Sequence, residues 1–386
     1  MIDFKGGKME IRVMSWNMAG AKLFDKLDSP PYDVASSYIK AYKYAWDKGI
    51  IGNLTVPPNP PKYPDVILLQ ECIGFIDTRA EPSGRWQSGE EILQKIYSGY
   101  TCFFFPALSS YKNPHPAKWD KYRKGTRQEN FLPDEIEAQQ GYGICVRNPE
   151  YLRKIWVKDV QQDDTIALQK DDYHQCFAAI NTTTGLYLGD RDTEPRLVIL
   201  GRMRVGTDGF EERYINFLNV HLTTLKGERI GNIRLNRGGS SYRIQQLELI
   251  MDHVISSYQE ATTNRIPRTS NTRKDDVWIL GGDFNSTPDS EEVSFVKRMG
   301  FVDGNPDKKL LDATDSKFGD KIGTKWSLTD PDLPMTVLDY IFCGLERTTF
   351  ATGEIRLTRS LRPFRPKFQD QRFESDHAVL FASFEF

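Results

Sequence analysis

The sequence lacks a strong net charge, a long apolar run and the low hydrophobicity of a disordered chain. Its 51 basic and 53 acidic side chains leave a formal net charge of −2 over 386 residues. Binding of a polyanion by bulk charge is therefore excluded, and any such binding must use a local patch or a metal ion. With 39% hydrophobic and 27% charged residues, the chain can bury a sizeable core, so we expect a globular protein.

Cysteine is scarce, and the five residues are scattered and odd in number. This usage predicts buried thiols in a reducing compartment and disfavours a disulfide framework. The N-terminus has no apolar segment of signal-peptide type, and no run of about 18 apolar residues occurs anywhere. We therefore expect an intracellular, cytoplasmic protein with no membrane span.

Short apolar runs rich in β-branched and aromatic residues predict strands. These runs are 11–16, 66–69, 142–146, 197–200, 214–222, 277–280, 336–343 and 378–386. Apolar residues at three- and four-residue spacing predict a helix over 241–259, and another follows Pro288 with Asp289 or Ser290 as its cap and ends at Gly300.

Strands and helices are spread from end to end, with no shift in composition, no linker and no internal repeat. The sequence therefore predicts one α/β domain over residues 1–386. Polar stretches between the strands predict long loop insertions that frame a site. The main ones are about 19–64, 106–139, 223–240 and 351–375.

Acidic, amide and imidazole side chains stand at the ends of the predicted strands or, for Asp339, inside one. They are Asn17, Glu71, His221, Asp283, Asn285, Asp339, Asp376 and His377. A charged group at the end of a buried strand is costly unless it is paired or bound to a metal, so the repetition indicates a common partner. Carboxylate and amide oxygens without cysteine suit Mg²⁺ or Mn²⁺ better than structural zinc. Two histidines add acid and base capacity near neutral pH, and the pattern predicts metal-assisted phosphoester cleavage.

Six sequence strings together resemble the ordered motifs of the endonuclease/exonuclease/phosphatase superfamily, the family of DNase I and the abasic-site endonucleases. The strings are SWNMAG at 15–20, LLQE at 68–71, NVHL at 219–222, GGDFNSTPDS at 281–290, LDYIF at 338–342 and SDH at 375–377. The resemblance spans almost the whole chain. It implies an α/β/β/α sandwich of four layers, in which two mostly antiparallel sheets are flanked by helices and the site lies at one end of the sheets.

The resemblance also implies metal and water roles for the acidic and amide residues. Glu71 is expected to be the principal Mg²⁺ ligand, with Asn17 and Asp376 nearby in the metal shell. Asp283 and Asn285 are expected to position or activate the attacking water and to grip the phosphate. Simpler interpretations stay open at this stage: Glu71 could face solvent, and Asp283 and Asn285 could cap the following helix.

The two histidines receive proton-transfer or phosphate-binding roles from the same resemblance. His377, held by Asp339, is expected to hydrogen-bond to the scissile phosphate or to transfer a proton. His221 is expected to contact a phosphoryl oxygen or to assist the leaving group, although it could instead be a satisfied core histidine. Which residue is the general base, and whether one metal ion or two bind, the sequence leaves open.

Two basic segments are candidate substrate contacts. Residues 356–372 carry six basic side chains against one acid, with Phe364 and Phe368 interleaved, and lead into the SDH motif. Basic groups contact phosphates and aromatic faces stack on bases, so Arg362, Arg365 and Lys367 are predicted to bind substrate, although charge runs are more often solvated faces. A second basic run covers 112–127, and 226–239 could be a mobile flap. Arg243 resembles part of a weak Arg-x-x-Gln feature of the family and is also predicted to contact substrate.

The resemblance favours hydrolysis of nucleic acid, DNA or RNA, because GGDFNSTP is similar to the form in deadenylase-like and many bacterial members. The main alternative is a phosphatase or phosphodiesterase acting on a nucleotide, an inositol phosphate or a phospholipid headgroup. A third hypothesis is an interaction subunit with vestigial catalysis, against which the intact motifs argue. Endonuclease or exonuclease preference, oligomeric state and protein partners stay open.

Overall fold

The computed structural model describes residues 3–5, 8–20, 34–54, 63–80, 86–109, 135–153, 170–182, 196–205, 213–224, 229–230, 233–234, 238–251, 277–306, 324–325, 336–345, 355–369 and 375–386. The strands in these segments are β1 Asp3–Lys5, β2 Lys8–Asn17, β3 Val66–Asp77, β4 Thr101–Ser109, β5 Ile136–Val146, β6 Phe177–Asn181, β7 Leu197–Val205, β8 Arg213–His221, β9 Arg229–Ile230, β10 Ile233–Arg234, β11 Val277–Asp283, β12 Val302–Asp303, β13 Asp339–Leu345, β14 Arg356–Phe364 and β15 Val379–Glu385. The α-helices are α1 Val34–Tyr44, α2 Gly89–Ile96, α3 Gly239–Glu248 and α4 Glu291–Arg298, and a π-helical segment, Ala45–Ile50, and a short α-helical turn, Ile51–Leu54, continue α1.

The strands form two large sheets of similar design. The first has the order β14-β15-β2-β3-β5-β4, with β1 paired to β2, and the second has the order β12-β13-β11-β8-β7-β6. In each sheet one central pair is parallel, β2 with β3 and β11 with β8, and the remaining pairs are antiparallel. The mostly antiparallel arrangement expected from the resemblance is confirmed.

Alternation of side chains along the strands places apolar groups on both faces of each sheet. On β2, Met14 and Trp16 join the cluster that includes α1 and α2, whereas Ile11 and Val13 join the cluster that lies between the sheets. A third cluster packs α3 and α4 against the outer face of the second sheet. The order is therefore helices, sheet, sheet, helices, and the predicted four-layered fold is confirmed.

Every strand predicted from an apolar run overlaps a strand in the structure. The helix after Pro288 is confirmed as α4, whose N-cap is Ser290, with its hydroxyl accepting a hydrogen bond from the Val293 amide. Of the helix predicted over 241–259, α3 forms the first part, and residues 252–259 lie outside the described segments. None of the described helices combines the length and the apolarity that a bilayer crossing requires.

Parts of the predicted long loop insertions form regular secondary structure. Helix α1 lies within 19–64, the ends of β4 and β5 lie within 106–139, the β9–β10 hairpin lies within 223–240, and β14 lies within 351–375. Helix α1 mixes tyrosine, serine and lysine, and β14 carries several arginines. Neither segment therefore has the apolar pattern from which a helix or a strand is predicted. Tertiary packing stabilises both of them in spite of this composition.

Candidate active site

The parallel pairing in the first sheet brings the ends of β2 and β3 together. Asn17 pairs with Gln70 in register, so Glu71 follows directly beside the end of β2. The ladder between β3 and β5 is irregular between Leu69 and Cys72, and Glu71 has a φ of 51°. A non-glycine residue in this left-handed region is uncommon and costs about 1–3 kcal/mol. The distortion turns Glu71 out of the ladder and leaves its side chain 18% exposed at the sheet edge.

The second sheet assembles the other half of the site by the same means. In β11, Asp283 pairs with His221 of β8 on one side and with Asp339 of β13 on the other. Strand register alone therefore places one carboxylate between an imidazole and a second carboxylate. The backbone leaves regular strand geometry immediately afterwards, because Asn285 has a φ of 50°.

A buried polar bridge joins the two sheets close to these strand ends. Gln70 Nε2 donates to Asn219 Oδ1 at 2.7 Å, and Asn219 Nδ2 donates to the Leu69 carbonyl at 2.8 Å. Gln70 precedes Glu71, and Asn219 lies two residues before His221. Satisfied buried hydrogen bonds hold a unique geometry, so the bridge sets the position of one sheet edge relative to the other.

Asn17 lies between the carboxylates of the two sheets. Its Nδ2 donates to Glu71 Oε1 at 3.2 Å and to Asp283 Oδ2 at 3.1 Å, while its Oδ1 accepts from the Ala19 amide at 2.9 Å. The structure thus brings all three predicted residues together. It shows Asn17 as a donor that joins two carboxylates, and its role as a metal ligand stays a prediction.

Asn285 and Asp283 are positioned by the chain itself. The Asn285 amide donates to Asp283 Oδ1 at 2.8 Å, and Asn285 Nδ2 donates to the Leu222 carbonyl at 2.8 Å. Both side chains are buried. Because Ser290 is the cap of α4, the interpretation of Asp283 and Asn285 as helix caps is wrong.

His221 faces the carboxylates with one ring nitrogen and an arginine with the other. His221 Nε2 lies 3.6 Å from Asp283 Oδ2 and 3.9 Å from Glu71 Oε1, whereas Arg196 Nη1 lies 2.9 Å from Nδ1. A guanidinium can only donate, so Nδ1 accepts and the proton of the neutral ring resides on Nε2. Burial and the nearby Arg196 charge lower the pKa of His221 to about 3, despite the opposing effect of the two carboxylates.

His377 and Asp339 form a buried pair. His377 Nδ1 lies 3.0 Å from both Asp339 oxygens, and Thr324 Oγ1 donates to Asp339 Oδ2 at 2.6 Å. Burial raises the pKa of Asp339, although His377 counteracts the shift. The backbone of His377 is held as well, because its carbonyl accepts from Trp16 Nε1 and its amide donates to Ser375 Oγ.

Metal-ligating atoms of Asp283, Asp339 and His377 lie within 4.8 Å of one another. This set differs from the predicted metal residues Asn17, Glu71 and Asp376. Because His377 Nδ1 and the Asp339 carboxylate are already hydrogen-bonded to each other, we assign these two as a histidine–carboxylate pair.

The donor chemistry at the strand ends fits a hard cation. Glu71 and Asp283 both approach the same Asn17 nitrogen, and their oxygens are ligands of the kind that Mg²⁺ and Mn²⁺ prefer. Asp376 contacts Lys325 Nζ at 3.4 Å through Oδ2 and His377 Nε2 at 3.8 Å through Oδ1. Lys325 lies beside the Asp376 carboxylate, and metal-ligand roles for Glu71 and Asp376 stay predictions.

Sequence reasoning missed two cationic residues of the site, Arg196 and Lys325. Arg196 starts the segment that leads into β7, and Lys325 lies between two recognised motifs, within GTKW at 323–326. The signal that found the other residues was an acidic, amide or imidazole group at a strand, so it passed over Arg196, a cation directly before the predicted strand 197–200, and Lys325, which is remote from the predicted strands. For Lys325, its place between the GGDFNSTPDS and LDYIF strings was the available clue.

The predicted substrate contact at Arg243 is wrong. Arg243 is 1% exposed, its Nε donates to Glu292 Oε1 at 2.6 Å, and its Nη1 donates to the Thr223 carbonyl at 3.2 Å. Gln246 accepts from the Thr223 amide at 3.0 Å. The Arg-x-x-Gln pair therefore holds the backbone of Thr223, which lies two residues after His221. Its role next to the site is structural.

Burial raises the pKa of the Glu292 carboxyl, but the Arg243 charge and hydrogen bonds outweigh that effect and lower it overall. Glu292 is therefore ionised beside the Arg243 guanidinium. The distance of 2.6 Å between Arg243 Nε and Glu292 Oε1 is consistent with a charged pair. This pair connects α3 with α4.

The predicted basic patch forms the edge strand β14 and the segment after it. Arg365 is half-buried and Lys367 is exposed, while the Arg362 side chain and residues 112–127 lie outside the described part of the protein. Phe368 packs against Trp16 and Tyr42, with ring centroids 6.1 Å and 5.2 Å away. Phe368 is therefore tied to the core beneath the SDH motif, and base stacking by it stays a prediction. Apart from β9 and β10, most of the predicted flap over 226–239 also lies outside the described part.

Comparison with known proteins supports the resemblance. Residues 239–377 match the model of the Endonuclease/Exonuclease/phosphatase family, which confirms the family resemblance predicted from the motifs. No curated protein matches the chain.

Solved structures similar to this chain include D. rerio TDP2 complexed with a single-strand DNA product, with 15% identity over 97% of this chain and 98% of that chain and a TM-score of 0.46. The human Nocturnin catalytic domain with a bound sulfate anion has 16% identity over 97% and 94% of the two chains and a TM-score of 0.45. An endonuclease/exonuclease/phosphatase family protein from Bacteroides thetaiotaomicron has 14% identity over 98% of both chains and a TM-score of 0.49.

Proposed function

We propose that this protein is a divalent-metal-dependent phosphodiesterase that hydrolyses nucleic acid. The observation that carries the proposal is the convergence of Glu71, Asp283 and two histidines at one end of the paired sheets. Such a set combines an oxygen-rich cation site with groups that move protons, which is what hydrolysis of a phosphodiester requires. The phosphoesterase family match is consistent with this chemistry.

Glu71 would hold the cation, and the Asn17 side-chain amide fixes this carboxylate relative to that of Asp283. A bound Mg²⁺ or Mn²⁺ supplies positive charge against the phosphoryl oxygens and orients the phosphate. The protein contributes the rigid placement of the two carboxylates, because one comes from each sheet and the Gln70–Asn219 bridge holds the sheets together.

Asp283 is the base that we assign to the attacking water. Its Oδ1 accepts from the Asn285 amide, so Oδ2 is the oxygen that faces the histidines, 3.6 Å from His221 Nε2 and 3.8 Å from His377 Nε2. Oδ2 can therefore take a proton from water while both rings help to orient the reacting groups. The left-handed backbone of Asn285 and the hydrogen bond from its main-chain amide to Oδ1 hold the Asp283 carboxylate in place.

The two histidines have different settings and therefore different tasks. His377, with Nδ1 held by Asp339, directs Nε2 towards the phosphate, where it can contact the phosphate or take part in proton transfer. His221 is kept neutral with its proton on Nε2, so it donates a hydrogen bond to a phosphoryl oxygen without transferring its proton. These settings leave Asp283 as the group that accepts the proton of the attacking water.

The test is a cleavage assay on labelled single-stranded DNA, duplex DNA and RNA with Mg²⁺, Mn²⁺ or EDTA. Wild-type protein should cleave at least one of them with metal and none in EDTA, and Asp283→Ala and His377→Ala should each remove activity. Glu71→Gln should raise the Mg²⁺ concentration required for half-maximal rate. Glu291→Gln, at an exposed position of α4, is the matched control and should behave as wild type. Cleavage that persists in EDTA or in both alanine variants would refute the mechanism.

The same assay run on an inositol phosphate, a nucleotide and a phospholipid headgroup distinguishes the alternative substrates. Turnover of one of these without cleavage of any nucleic acid would replace the proposed substrate and keep the proposed site. We also propose an intracellular location, which is supported by five free cysteines that are all buried.

A further inference from the structure

Lys325 is tied into the site by its backbone, far from the ends of any predicted strand. Its amide donates to the Thr336 carbonyl at 2.9 Å, and its carbonyl accepts from the Thr336 amide at 3.0 Å. The preceding carbonyl, of Thr324, accepts from the Ala378 amide at 2.7 Å. The Thr324–Lys325 segment therefore bridges the approach to β13 and the SDH turn, and these bonds hold Lys325 at a defined position.

Thr324 links this segment to the histidine–carboxylate pair. Its hydroxyl donates to Asp339 Oδ2 at 2.6 Å and accepts from the Leu338 and Asp339 amides at 2.9 Å and 3.1 Å. A displacement of the Thr324–Lys325 backbone would break these hydrogen bonds. The position of the lysine is consequently coupled to that of Asp339 and His377.

The side chain of Lys325 ends among the groups that would surround a phosphate. Lys325 Nζ lies 2.9 Å from His377 Nε2 and 3.4 Å from Asp376 Oδ2. An ammonium group has three protons to donate, and these two acceptors use two of them. The Lys325 side chain is 19% exposed, against 7% for Asp376 and 1% for His377. The ammonium is thus the most exposed group of this trio.

Charge gives a reason for a lysine at this place. Glu71, Asp283, Asp339 and Asp376 crowd carboxylates around the point where an anionic phosphate would arrive. A divalent cation near Glu71 and Asp283 would offset part of this charge, but Asp376 and His377 lie on the side where Lys325 approaches. A fixed ammonium there lowers the repulsion that a phosphate would otherwise meet.

We propose that Lys325 is a phosphate-binding residue of this site, which donates its third proton to a nonbridging oxygen of the scissile phosphate. The inference rests on the proposed phosphoesterase function and names the group that receives the phosphate beside Asp376 and His377. Asp376 and His377 hold the ammonium in place before the substrate arrives. Lys325 then stabilises the negative charge that builds on phosphoryl oxygens in the transition state.

Three variants separate charge from structure. Lys325→Met keeps most of the side-chain length and removes the charge, Lys325→Arg keeps the charge, and Lys297→Met removes an exposed lysine from α4 as the matched control. The readouts are kcat and KM on bis(p-nitrophenyl) phosphate, the Kd of inorganic phosphate by calorimetry, and the melting temperature. Lys325→Gln is a second neutral variant, to be used if Lys325→Met does not fold.

Loss of one charge-stabilising donor typically lowers kcat by about 10²- to 10³-fold, and we expect that range for Lys325→Met. Inorganic phosphate should bind the variant at least about tenfold more weakly, a step of about 1.4 kcal/mol, and Lys325→Arg should recover part of both losses. Lys297→Met should match wild type. A Lys325→Met protein that binds phosphate and turns over the diester within twofold of wild type would overturn the inference.

Phosphate binding requires no turnover, so the two proposals can fail separately. If wild type cleaves no nucleic acid but its phosphate affinity depends on Lys325, the nucleic acid substrate is wrong and Lys325 keeps its assigned role. If nucleic acid is cleaved equally by wild type and Lys325→Met, the lysine inference is wrong and the proposed function stands. A drop in melting temperature without loss of phosphate affinity would identify a structural salt bridge and would also overturn the inference.

Discussion

His377 Nδ1 lies 3.0 Å from both oxygens of Asp339, and neither side chain is more than 2% exposed. The pair is separated by 38 residues in the chain and joins the start of β13 in one sheet to the residues before β15 in the other. A carboxylate that accepts from Nδ1 holds the imidazole in one orientation and leaves Nε2 towards the reacting groups. The activity of this site should therefore depend on Asp339 even though its carboxylate faces His377 Nδ1 and not the reacting groups.

Asp339→Asn should lower kcat by about 10²- to 10⁴-fold with a small change in KM, because the amide no longer selects the required tautomer of His377. Steady-state kinetics on the best substrate would measure this. Asp289→Asn, at an exposed position before α4, is the matched control and should keep full activity. Wild-type kcat in Asp339→Asn would show that the pair has no part in catalysis.

Gly282 has a φ of 146°, and a Cβ at this position would overlap the carbonyl oxygen of Val220. Gly282→Ala should therefore reduce the free energy of unfolding by more than about 3 kcal/mol, since backbone strain and overpacking add. Gly300→Ala is the control, because Gly300 also has a positive φ, 90°, but has open space around its Cβ position. Its cost should be closer to about 1 kcal/mol, and equal losses in urea unfolding would contradict this explanation.

Arg243 and Glu292 form a buried pair at 2.6 Å between α3 and α4. Arg243→Met should destabilise the protein by about 3–5 kcal/mol, because it leaves the Glu292 carboxylate buried without its guanidinium. The double variant with Glu292→Leu should recover much of that loss. Chemical denaturation measures both, and a stable Arg243→Met protein with weaker nucleic acid binding would restore Arg243 as a substrate contact.

The lowered pKa of His221, about 3 in the folded protein against an ordinary 6.5, makes stability depend on pH. Below pH 6.5 the unfolded chain binds a proton on this histidine and the folded protein does not, so falling pH favours unfolding. In metal-free protein, the stability difference between wild type and His221→Gln should change by up to about 1.4 kcal/mol per pH unit below that point. Exposed His174→Gln is the control, and a pH-independent difference for His221→Gln would contradict the buried neutral ring.

The basic residues of β14 and of the segment after it provide a test of nucleic acid binding. Replacing Arg362, Arg365 and Lys367 with alanine should weaken binding and reduce the slope of log K against log salt by up to about 0.9 for each phosphate that the protein no longer neutralises. Binding would be measured by anisotropy at several salt concentrations. Alanine at Lys297 and Arg298, two exposed cations of α4, should leave the slope unchanged. An unchanged slope in the triple variant would remove this segment from the substrate interface.

Several of the residues that sequence reasoning recovered share one property, a polar side chain directly after an apolar strand. Glu71, Asp283 and His221 have this property, and the structure brings them to one end of the two sheets. Arg196 and Lys325 lack this property. Their contacts with the histidines join residues that are distant in the sequence, and no local sequence pattern predicts such contacts. Arg243 was assigned to substrate from its charge, yet its burial depends on the packing of α3 against α4.

The sequence by itself determined which acidic, amide and imidazole groups are present, their order along the chain and their places at strand ends, since alternation and turn residues are local properties. Only the tertiary structure decided which groups meet. Strand register set Asp283 between His221 and Asp339, and backbone bonds across the fold brought Lys325 to His377. Strand register and contacts between residues distant in the sequence depend on the packing of whole sheets. That packing places Arg196 beside His221 and Asp339 beside His377.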